Sequence, residues 1–265
     1  MAFAFDGYSK VGYKRETNED FVFAKELTSD SNTVLAIVAD GAGSQPSQLQ
    51  PAQIACRNIE SYISRVFNSF SDKVFFYENA SMFLKESLLV VNSVLGAFRT
   101  ANEEIYSGFS CALTAVLFYK TTDGTSRMSF AHSGNTRLYM LRRSNDGNAI
   151  LRQLTKDHTF AQKLVDDGQI TEEQYYFHDL RNKLLTPIGI YEKPVIDTFD
   201  VKIRDDCLFL LTTDGVHYAI RPDAIAQLVL ENDTMENACT TLCDTAENLQ
   251  YNDDYAAVLV TSVNV

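Results

Sequence analysis

Acidic residues recur at the ends of apolar runs in this chain, and an arginine stands with the first of them. The stretch RETNEDFVF carries Arg15, Glu19 and Asp20 ahead of a strand-like Phe-Val-Phe. TVLAIVAD ends in Asp40 and CLFLLTTD in Asp214, each followed by glycine, while Asp253 and Asp254 precede YAAVLV. A lone Asp-Gly is ordinarily a turn, because both residues favour turn geometry. Acids at the mouths of several apolar strands carry a further implication. If those mouths meet, the carboxylates cannot all stay ionised side by side without cations. Oxygen donors alone point to a hard ion, Mg²⁺ or Mn²⁺, rather than zinc.

The elements that must position these acids follow from periodicity. TVLAIVAD is a continuous apolar run rich in β-branched residues, which suits a strand buried on both faces. Gly41 to Ser44 turn the chain, and Ile54, Ala55, Ile59, Tyr62, Ile63, Val66 and Phe67 then keep helical spacing, predicting a helix from about Ser47 to Phe67. A second helix is predicted over 80–102, and strands at 111–120, 127–134 and 137–143, read as an antiparallel meander whose first turn is Thr-Asp-Gly. Residues 159–174 predict a helix, a Gly168 stop and a capping box at Thr171. Strand 207–214, helices from Pro222 and from Thr234, and a last buried strand complete the pattern.

Composition narrows the function. A chain of 265 residues, 45% hydrophobic and 22% charged, can bury a sizeable core, and no Gly/Pro/Ser-rich linker divides it, so one domain is expected over 1–265. A net charge of −12 with no basic tract argues against nucleic acid. No run of about 18 apolar residues and no signal-like start is visible, so the expectation is a cytoplasmic protein without membrane contact. Five scattered cysteines read as reduced core thiols, including Cys239 and Cys243 on one helix face. His132, His158, His178 and His217 read as hydrogen-bonded structural residues, since carboxylates already supply what a hard ion needs. Tyr175, Tyr176 and Phe177 read as packing, with a peptide-facing surface as the alternative.

Seven segments, in order over nearly the whole chain, carry a resemblance. RETNED, VADGAGS, HSGNTRLYML, LTKDHT, LVDDGQITEEQYYFHDLRNKLL, LLTTDGV and NDDYAAVLV resemble the metal-dependent protein phosphatases of type 2C, in particular their bacterial serine/threonine branch. The resemblance implies an α/β (α+β) fold, a four-layer αββα sandwich of two mostly antiparallel sheets flanked by helical pairs, with a flap at about 156–190. It implies two Mn²⁺ or Mg²⁺ ions. Asp40 would bridge them, the Gly41 carbonyl would add a ligand, Asp214 and Asp253 would hold one ion, and Glu19 and Asp20 would hold metal waters. Arg15 would grip the substrate phosphate, a task that suits its planar fork and permanent charge. His178, Arg181 and Asn182 would lie where the flap borders a substrate peptide. The implied partners are phosphoserine and phosphothreonine proteins and a cognate Ser/Thr kinase, with the enzyme a monomer.

Two departures from the family pattern stand out. Ala42 occupies the position where the animal branch has a histidine, so the proton donor to the leaving oxygen is not identified. Asn135 occupies the position of an aspartate that holds a third ion, and it offers only a neutral oxygen, so a third ion should bind weakly or not at all. Asp254, where the family usually has asparagine, adds an acid that could partly offset this. Asn135 keeps open a pseudophosphatase, a module that binds phosphoproteins with weak or no turnover. A phosphatase for small phosphate esters is the third class.

Overall fold

The structure, a computed structural model, describes residues 3–29, 32–43, 49–144, 146 and 149–262. Two five-stranded antiparallel sheets are stacked in it. The first has β1 (Phe3–Lys10), β10 (Tyr255–Ser262), β9 (Leu208–Thr212), β6 (Arg137–Arg143) and β7 (Ala149–Gln153), in that order. The second has β2 (Asp20–Glu26), β3 (Thr33–Ala42), β4 (Ser110–Lys120), β5 (Ser126–Ser133) and β8 (Asp197–Lys202). Helices α1 (Pro51–Ser69), α2 (Val74–Glu78), α3 (Ala80–Ala101) and α4 (Glu103–Tyr106) intervene between β3 and β4. Helices α5 (Phe160–Asp166) and α6 (Glu172–Tyr175) lie between β7 and β8, in the segment expected as a flap. Helices α7 (Asp214–His217), α8 (Pro222–Glu231) and α9 (Met235–Asn248) separate β9 from β10.

Strand alternation explains the four layers. On β3, Leu35, Ile37 and Ala39 face α1 and α3, while Val34, Ala36 and Val38 face the other sheet. On β10, Tyr255, Ala257 and Leu259 face α8 and α9, while Ala256, Val258 and Val260 face inward. Both strands are buried on both faces, as their unbroken apolar sequences require. Burial of each large aliphatic side chain stabilises the fold by about 1.5–3 kcal/mol.

Most predicted elements fall where periodicity places them. Pro51 opens α1 in its first turn; the earlier start expected at Ser47 falls outside the described residues. Thr171 and Gln174 form the capping box that opens α6. The cysteine pair of α9 is buried and free. Helix α3 is long and apolar enough by composition to cross a bilayer, which the sequence reading did not expect. Its Leu84, Leu88, Val91 and Leu95 are buried in the core beneath the second sheet.

The meander expected over 111–143 is broken. Strands β4 and β5 pair as a hairpin, but β5 goes on to pair with β8, and β6 joins β9 and β7 in the other sheet. The chain crosses between sheets at Gly134, Asn135 and Thr136. Gly134 has φ +107°, and a Cβ there would lie 2.3 Å from that of Ala112, so glycine is required at the crossing.

Candidate metal centre and phosphate site

The crossing and four strand mouths bring the predicted acids to one end of the sandwich. Asp20 and Asp40 are cross-strand partners on β2 and β3, and Gly41 N–H donates to Glu19 C=O at 3.1 Å. Asp214 opens α7 directly after β9, and Asp253 and Asp254 precede β10. Two glycines close on the latter pair from either side. A Cβ at Gly12 would lie 2.1 Å from the Asp253 carbonyl oxygen, and one at Gly215 would lie 1.9 Å from that of Asp254. The close approach of backbone to backbone sets the Asp253-Asp254 peptide against both loops.

Hydrogen bonds fix the carboxylates. Thr213 Oγ1 donates to Asp20 Oδ2 at 2.6 Å and accepts from Ala256 N–H at 3.0 Å. Asn135 Nδ2 donates to Asp214 Oδ2 at 2.9 Å. Asp254, 1% exposed, accepts from Gly12 N–H (2.7 Å) on one oxygen and from Glu19 N–H (2.9 Å) on the other. Arg15 reaches Asp253 through Nη2 at 2.6 Å, and Asp254 and Glu19 through Nη1 at 3.1 and 3.4 Å. Asp254 therefore organises the loops around Arg15 and has little lone-pair capacity left for an ion. The compensation expected of it for Asn135 finds no support in this geometry.

The electrostatics are those of an anionic cluster short of cations. Burial, and then the charges of Asp214, Asp20 and Asp253, hold Asp40 well above the usual carboxylate range, with Arg15 opposing. Burial foremost likewise holds Asp20 well up, and Asp214 is pushed up to about 8 by burial and by Asp253. Asp253 is raised by burial against the pull of Arg15. One arginine cannot neutralise this set. Asn135 Oδ1, buried beside Asp214, has no hydrogen-bond partner among the described residues. Oxygen donors in excess of positive charge, with an orphaned carbonyl beside them, fit hard divalent ions. No three acidic, histidine or cysteine side chains among the described residues are arranged to hold an ion by themselves.

The flap residues divide. Arg181 stacks on Tyr218 (4.7 Å to the ring centroid) and donates from Nη2 to the Tyr251 hydroxyl at 3.2 Å. Asn182 also bonds Tyr251. Arg181 and Asn182 thus tie the flap to the segments carrying Asp214 and Asp253. His178 Nδ1 accepts from Leu180 N–H at 3.1 Å and closes a turn instead. Tyr175 packs as predicted, buried with its hydroxyl 2.7 Å from that of Tyr218, whereas Phe177 is 78% exposed. Under the flap, Arg137 holds Asp157 through Nη2 at 2.8 Å, a buried pair that the Tyr175 and Tyr218 hydroxyls also reach. Thr213 has no motif of its own beyond standing next to Asp214, so the sequence does not mark it as part of the site.

The Protein phosphatase 2C family model matches residues 12–259, and the chain belongs to that family. The serine/threonine phosphatase stp of Listeria monocytogenes serovar 1/2a is 24% identical over 249 residues, covering 94% of this chain and 92% of that one. The crystal structure of the Mycobacterium tuberculosis serine/threonine phosphatase PstP/Ppp superposes with a TM-score of 0.79 at 23% identity, over 98% of this chain and 99% of that one. The PstP catalytic domain in complex with two manganese ions gives 0.77 at 23% identity, over 98% and 97%. These likenesses establish the two-sheet fold.

Proposed function

We propose that this chain is a metal-dependent serine/threonine protein phosphatase that hydrolyses phosphoserine and phosphothreonine esters. The observation that carries the reading is the convergence of Asp20, Asp40, Asp214 and Asp253, from both sheets, on a site that holds Arg15. The serine/threonine phosphatase of Listeria and the manganese pair in PstP agree with it. When bound, two Mn²⁺ or Mg²⁺ ions supply Lewis-acid charge that lowers the pKa of water and offsets that of the phosphoryl oxygens.

The chain's own residues do the rest. Asp40, the cross-strand partner of Asp20 and close enough to Asp214 to feel its charge, would serve both ions, with the Gly41 carbonyl as an additional ligand. Asp214 and Asp253 would hold one ion. Glu19 and Asp20 would orient water, with Asp20 fixed by Thr213. Arg15, its guanidinium aimed by Asp253 and Asp254, would present its outer edge to two phosphate oxygens. No nucleophilic side chain is needed, because the attacking group is water. The buried cysteines suit this, since burial raises Cys56 and Cys111 away from the thiolate form.

Residues 156–190 would act as the flap of a single domain, bordering an open peptide cleft rather than closing a small-molecule pocket. A monomer working in the cytoplasm beside a Ser/Thr kinase completes the proposal. The test is phosphate release from a phosphothreonine peptide across a Mn²⁺ titration, with Asp40→Asn and Asp214→Asn alongside. Saturable release, lowered more than about 100-fold by either substitution with the fold intact, is expected; that exceeds the 10- to 100-fold typical of losing a supporting partner. Absence of release from folded, Mn²⁺-loaded protein would overturn it in favour of a phosphoprotein-binding module.

A further inference from the structure

The inter-sheet core does not close at the edge where β7 and β8 lie. A cleft of about 600 Å³ opens there between the two sheets, and none of the candidate metal residues lines it. That volume is in the range of small-ligand sites, about 300–1,000 Å³.

Register shows which side chains face into it. On one wall Arg152 pairs with Met140 across β7 and β6, and Met140 pairs in turn with Phe209 of β9. Arg142, two residues beyond Met140, shares that face. On the opposite wall Phe199 pairs with Phe130, and Val201 with Met128, across β8 and β5. The floor is therefore hydrocarbon and thioether. Phe199 is 55% exposed at its mouth, a large apolar side chain left in water.

The rim has the opposite character. Arg142, Arg152, Lys156, Lys202 and Arg204 line the opening on a chain whose net charge is −12. Asp197, the one acid among the described residues that line it, is engaged by His158 Nε2 at 3.1 Å. Lys156 and Arg204 have their own partners, Asp166 and Asp206. Among the described residues Arg142, Arg152 and Lys202 have no acid at ion-pair distance.

We propose that this cleft binds a long-chain carboxylate, with its hydrocarbon between the sheets and its head group on Arg142 and Arg152. The floor of Met128, Phe130, Met140 and Phe209 offers only hydrocarbon and thioether, which suits an alkyl chain with no polar groups to satisfy. Two guanidinia on the rim, at diagonal positions of adjacent strands, match one carboxylate.

The probe is dodecanoate below its micellar concentration, titrated into the full chain by calorimetry, with dodecanol and dodecyltrimethylammonium as controls. The chain contains no tryptophan, so Phe199→Trp supplies a single fluorophore at the cleft mouth. The expected result is saturable one-to-one binding with a blue shift of that fluorophore. Arg142→Glu with Arg152→Glu should weaken it at least about tenfold, as should replacing the carboxylate by the alcohol or the ammonium. If the double variant does not fold, the exposed Arg152→Gln alone should weaken binding measurably. Lack of saturable binding, equal binding of the three dodecyl compounds, or indifference to the arginine changes would overturn the assignment. Displacement of dodecanoate by an acidic peptide, or binding to anionic vesicles without binding to free dodecanoate, would also overturn it by giving the cleft another occupant.

Discussion

Thr213 donates its hydroxyl to Asp20 at 2.6 Å, and Asp20 belongs to one sheet while Thr213 directly follows a strand of the other. The same hydroxyl accepts from Ala256 N–H, so one side chain ties β2, β9 and β10 together beside the carboxylates. Thr213→Val keeps the shape and removes both bonds, leaving a buried carboxylate and a buried amide short of a partner. A loss of about 1–3 kcal/mol is expected. Mn²⁺ affinity should fall about 10- to 100-fold, as for other supporting partners. Urea unfolding and a Mn²⁺ titration measure both, and Thr213→Ser should restore most of each.

Asn135 presents a donor to Asp214 and leaves its own carbonyl without a partner. Asn135→Asp exchanges that donor for a charge. Its metal-free form should be less stable than the parent, because another carboxylate joins an already crowded cluster. It should bind one more Mn²⁺ per chain, countable by electron paramagnetic resonance. Unchanged stoichiometry would show that the amide does not limit the number of ions.

The pH dependence of the metal-free protein carries its own sign. Burial and Asp253 raise Asp214 to about 8 in the folded state. The unfolded chain releases that proton near the ordinary value of about 3.9. The contribution of Asp214 is thus complete below pH 4 and is withdrawn as pH climbs through 8. Cations reverse the penalty, so the rise in melting temperature produced by Mn²⁺ should be larger at pH 8 than at pH 5.5. Equal shifts at the two pH values would contradict the electrostatic description.

His132 runs the other way. It is buried, with Nδ1 at 2.9 Å from Thr114 Oγ1 and Nε2 at 3.1 Å from the Lys156 carbonyl. Burial first, then the neighbouring His158, pushes it down to about 4. The unfolded chain takes up the proton near 6.5, so stability present above that value is lost as pH falls toward 4, by about 3 kcal/mol. Urea unfolding at pH 7 and 4.5 should show that loss in the parent and a smaller one in His132→Asn.

Much of this arrangement was legible before the structure. Asp40 and Asp214 announce themselves because an apolar run that ends in Asp-Gly has both a strand and its terminus written locally. The helices were legible for the same reason, since period and caps are local properties. What escaped was non-local. Nothing within 111–143 says that β6 must leave β5 for the other sheet; that follows from its pairing with β9, well beyond it in the chain at Leu208–Thr212. Thr213 gains its role from Asp20, far away in the chain. Asp254 could be read as a spare ligand until Gly12, Glu19 and Arg15 were found to occupy its oxygens.

The pairing of β1 with β10 also bears on the order in which the molecule can be made. Arg15, Glu19 and Asp20 emerge in synthesis long before Asp253 and the strand that follows it. A nascent chain has the acids of β2 and β3 in hand while the first sheet still lacks an inner strand. Closing such a distant pairing is slow compared with forming hairpins or helices. A chain stopped before Tyr251 would lack Asp253, the Arg15 anchor and the centre of the first sheet at once. Incomplete products should therefore be silent rather than partly active.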